Sequence, residues 1–305
     1  MTSEAFCPGH ITALFYAPPR ARDSARTGSR GAGVCIDRGA RARVRALRGK
    51  GFGISPAEGT RLSPVVATAL GNYLVNAREE VWLELGLELD LPVGEGFGMS
   101  GAMALASVIA ADGELGLLKG DMGRLSALAH AAEVEFRTGL GDVVCQARGG
   151  LDIRTRPGLP PHGEVVTARH EGEVLIAWSG RALHTASVLG DRDARARLEA
   201  AALPLLERAP AAPTMEWLLE AGWAFSQAAG LASPEVLSMV EACRPFGRVS
   251  QVMLGNSVFA TGDLASMAEA LGALGWSHAV VGVDNAPARL LRGGPHRPRP
   301  KRRPA

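Results

Sequence analysis

Apolar positions recur along this chain in two rhythms. Between Ser63 and Leu85, Val66, Leu70, Tyr73, Leu74 and Val81 fall at helical spacing and predict one long helix with those residues as its buried side. Over Asp121–Phe136 the same spacing puts Leu125, Leu128, Ala129, Ala132 and Phe136 on one face. Shorter apolar runs predict strands at Ile11–Tyr16, Val34–Asp37, Arg43–Leu47 and Leu151–Thr155. The second half continues with a strand near Val174–Trp178 and helices around Asp191–Leu206, Thr214–Ala229 and Pro234–Cys243. Strands Val249–Leu254 and Val258–Thr261, helix Asp263–Leu274 and a last strand Ala279–Asp284 complete the pattern. Arg20–Arg30 reads as a loop, and Pro157–Gly163 as a Pro/Gly break approaching a domain boundary. The elements imply α/β layers. Arg292–Ala305 is rich in Pro and Arg with almost no apolar content, so it is expected to be disordered.

One segment stands outside both rhythms. Leu91–Ala106, LPVGEGFGMSGAMALA, sets Gly94, Gly96, Gly98 and Gly101 around Ser100, between a strand expected at Glu88–Leu91 and a helix expected at Ser100–Leu115. Glycines let a backbone turn tightly and approach a ligand. A helix N-terminus adds unpaired N–H groups and a favourable dipole, and the two together bind phosphate. Gly96-x-Gly98-x-x-Gly101 also matches the dinucleotide pattern, and a plain turn before a buried helix is the bland alternative. The Walker pattern and the protein-kinase H-R-D and D-F-G signatures are absent.

Three further segments carry candidate chemistry. In Ala129–Gly150, Glu133 lies near the end of a helix, the turn Thr138-Gly139-Leu140-Gly141 follows, and Asp142 comes next, ahead of Gly149-Gly150. Two carboxylates around a tight turn suit a magnesium–phosphate site, although a solvated helix end with a capping Asp explains the same residues. Near the N-terminus Pro8-Gly9-His10 marks a turn before an apolar run. Within Gln251–Gly262, Gly255-Asn256-Ser257 interrupts two apolar runs.

In this order the four segments resemble the motifs of the GHMP kinase superfamily of small-molecule kinases. Pro8-Gly9-His10 stands for its P-G-K/R motif, and Pro92-x-x-x-Gly96-Phe97-Gly98-Met99-Ser100-Gly101-Ala102 for P-x-x-x-G-L-G-S-S-A. Leu140-Gly141-Asp142 ahead of Gly149-Gly150 stands for the aspartate segment, and Leu254-Gly255-Asn256-Ser257 for the last glycine loop. The departures (His10 for a basic residue, Met99 for a serine, Gly255-Asn256 for a longer glycine run) look most like the archaeal, pantoate-phosphorylating branch. The resemblance implies a mixed α/β, α+β fold of two domains. Residues 1–170 would form an ATP-binding domain and 171–290 a ferredoxin-like domain, with 291–305 as a disordered basic tail.

The same resemblance implies roles. Pro92, Gly94, Gly96, Phe97, Gly98, Met99, Ser100, Gly101 and Ala102 would hold ATP. Asp142 would be catalytic, and Ser100 with Glu133 would hold Mg2+, with Glu135 as the rival ligand. His10, Arg30, Thr138, Gly255 and Asn256 would meet the substrate, Arg30 being the first candidate to grip its carboxylate. The implied reaction is phosphorylation of the primary hydroxyl of (R)-pantoate by ATP, on the route to coenzyme A. Another alcohol kinase of the homoserine or mevalonate class, or a non-catalytic sensor on the same fold, is the alternative. A homodimer is compatible with the resemblance.

Composition narrows the remaining classes. The chain has 305 residues, 47% apolar, with a net charge of +2 and 5% aromatic residues. Near-neutral charge and few aromatics give no reason to expect nucleic acid as the main partner. No run of about 18 apolar residues predicts a membrane span, and the N-terminus does not read as a signal peptide. Cys7, Cys35, Cys145 and Cys243 form no C-x-x-C pair and read as reduced thiols of a cytoplasmic protein.

Overall fold

The computed structural model describes residues 2–19, 21–47, 51–181 and 192–293. Strand β1 (Ser3–Tyr16) is central to the first sheet and pairs antiparallel with β2 (Arg30–Leu47). The runs Val34–Asp37 and Arg43–Leu47, expected as two strands, are one strand of 18 residues. That length lets β2 serve two partners. Gly31–Val34 pair with β5 (Leu151–Arg156), and Ala40–Leu47 pair with β4 (Trp82–Leu89). β3 (Gly53–Pro56) runs parallel to β4, and β6 (Glu164–Ala168) flanks β5.

Helix α1 (Pro64–Leu74) is shorter than the expected Ser63–Leu85 helix. Asn76 Nδ2 donates to the carbonyl of Tyr73 and stops it, and β4 starts at Trp82. In β4 the buried Leu83 and Leu85 alternate with the less buried Glu84 and Gly86, so the two-residue rhythm of a strand takes over there. Helix α2 (Met99–Leu115) lies on β1 and β2, flanked by α1 and by α3 (Met122–Phe136). It is buried nearly all round, and its run of Ala and Gly lets the neighbouring elements approach closely.

The second sheet contains β7 (Glu173–Trp178), β8 (Gly247–Val252), β9 (Ser257–Gly262) and β10 (Ser277–Gly282) in the order β10-β7-β9-β8, all antiparallel. This is the ferredoxin-like order. Helices α7 (Pro234–Cys243) and α8 (Leu264–Ala273) cover one face, with Met239, Val240, Met267 and Leu271 packed on Leu175 and Val258. Helices α5 (Arg192–Glu207) and α6 (Met215–Ala229) pack back against β1. Phe225 of α6 is fully buried and meets Phe15 of β1 edge-on, ring centres 6.2 Å apart. One apolar core therefore runs from one sheet into the other.

Three boundary expectations change. The Pro157–Gly163 break falls between β5 and β6, inside the first sheet. After β10 the chain returns to that sheet as β11 (Arg289–Arg292), paired with β1. Leu291 and Arg292, expected in the tail, thus belong to a strand, while residues 294–305 and Asp191 lie outside the described residues. Among the described residues no helix is long and apolar enough to cross a membrane.

Candidate active site

Strand β1 is bent twice where the site is built. Its pairing with β2 shifts register between Pro8 and Gly9 and again between Thr12 and Leu14. Pro8 cannot donate to the ladder, so a bulge is where a strand tolerates it. His10 sits between the two shifts. Its backbone N–H leaves the sheet and donates to the Phe97 carbonyl at 3.0 Å, which fastens the glycine loop to β1.

Three of the loop glycines use the left-handed backbone region: Gly94 (φ 90°), Gly96 (φ 86°) and Gly98 (φ 63°). A Cβ on Gly96 would lie 2.9 Å from the Met253 carbonyl oxygen, so the loop can pack against the β8–β9 turn only without one. Gln146 Nε2 donates to the Gly98 carbonyl at 2.9 Å. Helix α2 then starts without a side-chain cap, and Met99 and Ser100 at its N-terminus line a cavity of about 340 Å³. Orphan N–H groups at such a helix start are suited to an anion.

The opposite wall is the turn Thr138–Gly141 and the start of a short helix, α4 (Asp142–Gln146), which the sequence pattern did not suggest. Glu133 reaches in from α3. Its Oε1 accepts from Ser100 Oγ at 2.6 Å and from Thr138 Oγ1 at 2.7 Å. Burial pushes the Glu133 carboxyl up to about 7; the two hydroxyl bonds oppose this, and the nearby Asp142 charge adds to it. Gly139 is required beside it, because a Cβ would lie 2.1 Å from Glu133 Oε2. The adjoining hydroxyl and carboxylate are hard oxygen donors of the kind magnesium prefers. The rival Glu135 is exposed and does not line the cavity.

Behind this wall lies a chain of ionisable groups. His10 Nδ1 is 2.7 Å from Asp142 Oδ1, and His10 Nε2 is 2.7 Å from Asp152 Oδ2. Asp152 Oδ1 accepts from Arg154 Nη1 at 2.9 Å. His10 is fully buried, whereas the Asp142 side chain is 21% exposed. Burial alone would lower the His10 pKa, but the Asp152 charge and the bonds to both carboxylates hold it well above the usual value. Burial alone would raise Asp152; His10 and Arg154 outweigh it and hold that carboxyl below its usual range.

Of the expected residues, Gly94, Gly96, Phe97, Gly98, Met99, Ser100, Glu133, Thr138 and Asp142 meet around this single cavity. Pro92, Gly101 and Ala102 do not line it; Gly101 and Ala102 are buried in α2 beneath the loop. His10, expected at the substrate, is sealed behind Asp142 and cannot reach it. Arg30 turns away and donates to Tyr16 Oη at 3.2 Å. Gly255 packs on the Glu95 backbone and Asn256 donates to the Arg181 carbonyl, while their neighbours Met253 and Leu254 line the cavity instead.

Arg154 is the residue that the motifs missed. It lines the cavity, is only 2% exposed, and its Nε and Nη2 have no hydrogen-bond partner. Glycines make room for its guanidinium: a Cβ on Gly31 would lie 2.6 Å from Nη2, and one on Gly141 2.7 Å from Nε. The signal in the sequence was Asp152 and Arg154 at alternate positions of a strand flanking Ile153, which places two charges on one face of β5.

A glycine loop over an uncapped helix faces a carboxylate across a small cavity, an arrangement suited to a small-molecule phosphotransferase. Residues 65–150 match the model of the GHMP kinases N terminal domain. A pantoate kinase from Methanospirillum hungatei is 31% identical over 272 residues, covering 86% of this chain and 88% of that protein. One from Thermococcus kodakarensis is 32% identical over 275 residues, covering 85% and 87%. A solved structure described as a phosphotransferase related to the CoA biosynthesis pathway superposes with a TM-score of 0.83 at 26% identity, covering 96% of this chain and 99% of its own. The chain belongs to the pantoate kinase family of the GHMP kinases, which are ATP-dependent enzymes.

Two predictions come from the site walls. Because the Glu133 carboxyl moves from its ordinary 4.5 to about 7 on folding, it binds more protons folded than unfolded between those values. It therefore weakens the fold as pH rises through that window, with no penalty below 4.5 and the full penalty above about 7. Glu133→Gln should be more stable than the parent at pH 8, by on the order of 3 kcal/mol, and equal to it near pH 4. Urea unfolding of the nucleotide-free proteins measures this, and the same variant should lose turnover.

Gly98→Val addresses the loop. A branched residue at φ 63° costs ~1–3 kcal/mol, and its Cβ would press on the His10 carbonyl at 3.1 Å. ATP affinity should fall roughly tenfold or more, with the helical circular dichroism unchanged. Calorimetry showing parental ATP affinity would reduce the loop to a turn.

Proposed function

We infer that this protein transfers the γ-phosphoryl group of ATP to the primary hydroxyl of (R)-pantoate, giving 4-phosphopantoate for coenzyme A synthesis. The observation that carries the substrate is Arg154. A buried guanidinium at the cavity wall, two of whose nitrogens have no hydrogen-bond partner among the described residues, calls for an anion, and its planar fork matches a carboxylate with two parallel hydrogen bonds. Asp142 lines the same cavity. A small hydroxy acid can thus meet a charge at each end. Phe15, Leu140 and Met253 add apolar walls suited to the substrate's branched carbon between the two ends.

The chemistry asked of the protein is alignment and charge stabilisation. Phosphoryl transfer has a loose transition state, so catalysis depends on placing the alcohol in line and neutralising the developing charge. The orphan N–H groups of α2 and the glycine loop would receive the phosphates. Ser100 and Glu133 would hold Mg2+ arriving with the nucleotide, which supplies charge neutralisation when bound. Asp142 orients the hydroxyl and takes its proton as the new O–P bond forms and ADP leaves. Homoserine and mevalonate carry a carboxylate too, and similarity to pantoate kinases favours pantoate among the three. All four cysteines are free and buried, which supports a reducing, cytoplasmic setting.

Purified protein with ATP and magnesium should release ADP with pantoate and not with homoserine or mevalonate. Pantothenate has an amide where pantoate has its carboxylate and would leave Arg154 unpaired, so its turnover should be lower by about 100-fold or more. Comparable turnover of the two acids would overturn the assignment. Arg154→Lys keeps the charge and loses the fork, and should raise the pantoate KM by roughly 10- to 100-fold with the ATP KM unchanged. Arg30→Gln should leave both near parental values.

Asp142→Asn keeps the size and the bond from His10 while removing charge and basicity. Turnover should fall by about 100-fold or more, with ATP binding kept. Near-normal turnover in the folded variant would make Asp142 a capping residue only.

A further inference from the structure

The buried side of the site contains more ionisable groups than phosphoryl transfer by itself requires. Asp152 is 1% exposed and His10 not at all, and neither lines the cavity. They join Asp142, on α4, to Arg154, on β5, through a residue of β1.

The hydrogen-bond pattern assigns a state to this chain. Asp152 lies between two donors, Arg154 Nη1 on Oδ1 and the His10 ring on Oδ2, so both its oxygens accept and the proton is on Nε2. With Asp142 read as the group that takes the alcohol's proton, it enters the reaction as a carboxylate, which assigns the proton of its 2.7 Å bond with His10 to Nδ1. Both ring nitrogens then carry hydrogen. Asp142 Oδ1 is occupied by the ring, while Oδ2 faces Gly139 at the cavity wall. The charges alternate along the chain: carboxylate, imidazolium, carboxylate, guanidinium.

We propose that His10 and Asp152 are positioning residues of the reaction: Asp152 holds the His10 ring as a doubly donating imidazolium, and through it aims Asp142 at the substrate hydroxyl at a fixed separation from the guanidinium that takes the substrate's acid end. This rests on the reading of Asp142 as the proton acceptor and Arg154 as the acid grip. Other groups around the ring fit the same state. Thr12 Oγ1 lies 3.4 Å from Nδ1, and burial first pushes the Cys145 and Cys35 thiols up.

A metal is the rival explanation of the cluster. His10, Cys145 and Asp152 each place one ligand atom within 4.8 Å of the others. Arg154 Nη1, however, lies 3.2 Å from Cys145 Sγ and 2.9 Å from Asp152 Oδ1. The guanidinium occupies that space and supplies the positive charge a cation would bring.

The decisive measurement needs no variant. Nitrogen-15 spectra of histidine-labelled parent protein should show His10 with both ring nitrogens protonated from pH 6 to pH 9. A neutral His10 tautomer in that range would overturn the proposal. Asp152→Asn is the companion: an amide can donate to Nε2 and accept from Arg154, so the geometry survives and the charge is lost. In that variant His10 should be neutral at pH 8 and kcat lower by about 10- to 100-fold, with the ATP KM close to the parent's and the thermal midpoint lowered because Arg154 loses its buried counter-charge. Parental kcat with a neutral His10 would show that the chain is structural only. If Asp152→Asn does not fold, the parent spectrum alone decides. Should an alcohol other than pantoate be turned over, kcat is read with that alcohol, so failure of the substrate assignment and failure of this proposal stay distinct.

Discussion

Charge neutrality in a space without water is the constraint on which this site depends. Removing an ion from water costs several kcal/mol, and only a partner with good geometry offsets it. His10, Asp152 and Arg154 are all essentially buried, so each exists as an ion only because its neighbours do. This explains why two distant parts of the chain, β1 and the α4–β5 segment, must converge. β1 brings His10, α4 brings Asp142, and β5 brings Asp152 and Arg154. The bulges in β1, the glycines at 31 and 141 and the length of β2 all make that convergence sterically feasible.

The convergence also draws the second sheet into the site. The Met253 N–H donates to the Thr12 carbonyl at 2.8 Å, joining the β8–β9 turn to the second irregular stretch of β1. Ser257 Oγ donates to the Glu95 carbonyl inside the glycine loop. Leu254, on the cavity wall, holds a left-handed backbone at φ 60° to complete the turn. A non-glycine residue in that region costs energy that the surrounding contacts must offset. The cavity is thus walled by residues more than two hundred positions apart.

What could be read from the sequence follows from what each residue type reports. Glycine reports backbone, so Gly94, Gly96 and Gly98 marked a tight loop before any coordinate was needed. Helices with a single clean rhythm, such as Pro234–Cys243, were legible to the residue. The span after Leu74 was not, because Leu83 and Leu85 fit a helix or a strand and only the sheet decides between them. His10 was picked out by its motif and Arg30 by its charge in a glycine-rich stretch, but which way each faces depends on register. One register shift turns His10 toward Asp152, 142 positions away, and the pairing of Arg30 with Tyr16 points it away from the cavity. Arg154 belonged to no motif, and its importance lies in the bonds it does not make.

Helix α2 has one further consequence. Among the described residues no side chain caps its N-terminus, where Gly98 stands in the place usually held by Ser, Thr, Asp or Asn. Those side chains ordinarily add ~1 kcal/mol to a helix. The longest and most buried helix against the first sheet therefore begins unfinished, and a phosphate would be its terminal residue in all but covalent connection. A nucleotide bound there would be a structural component of the fold as much as a reactant.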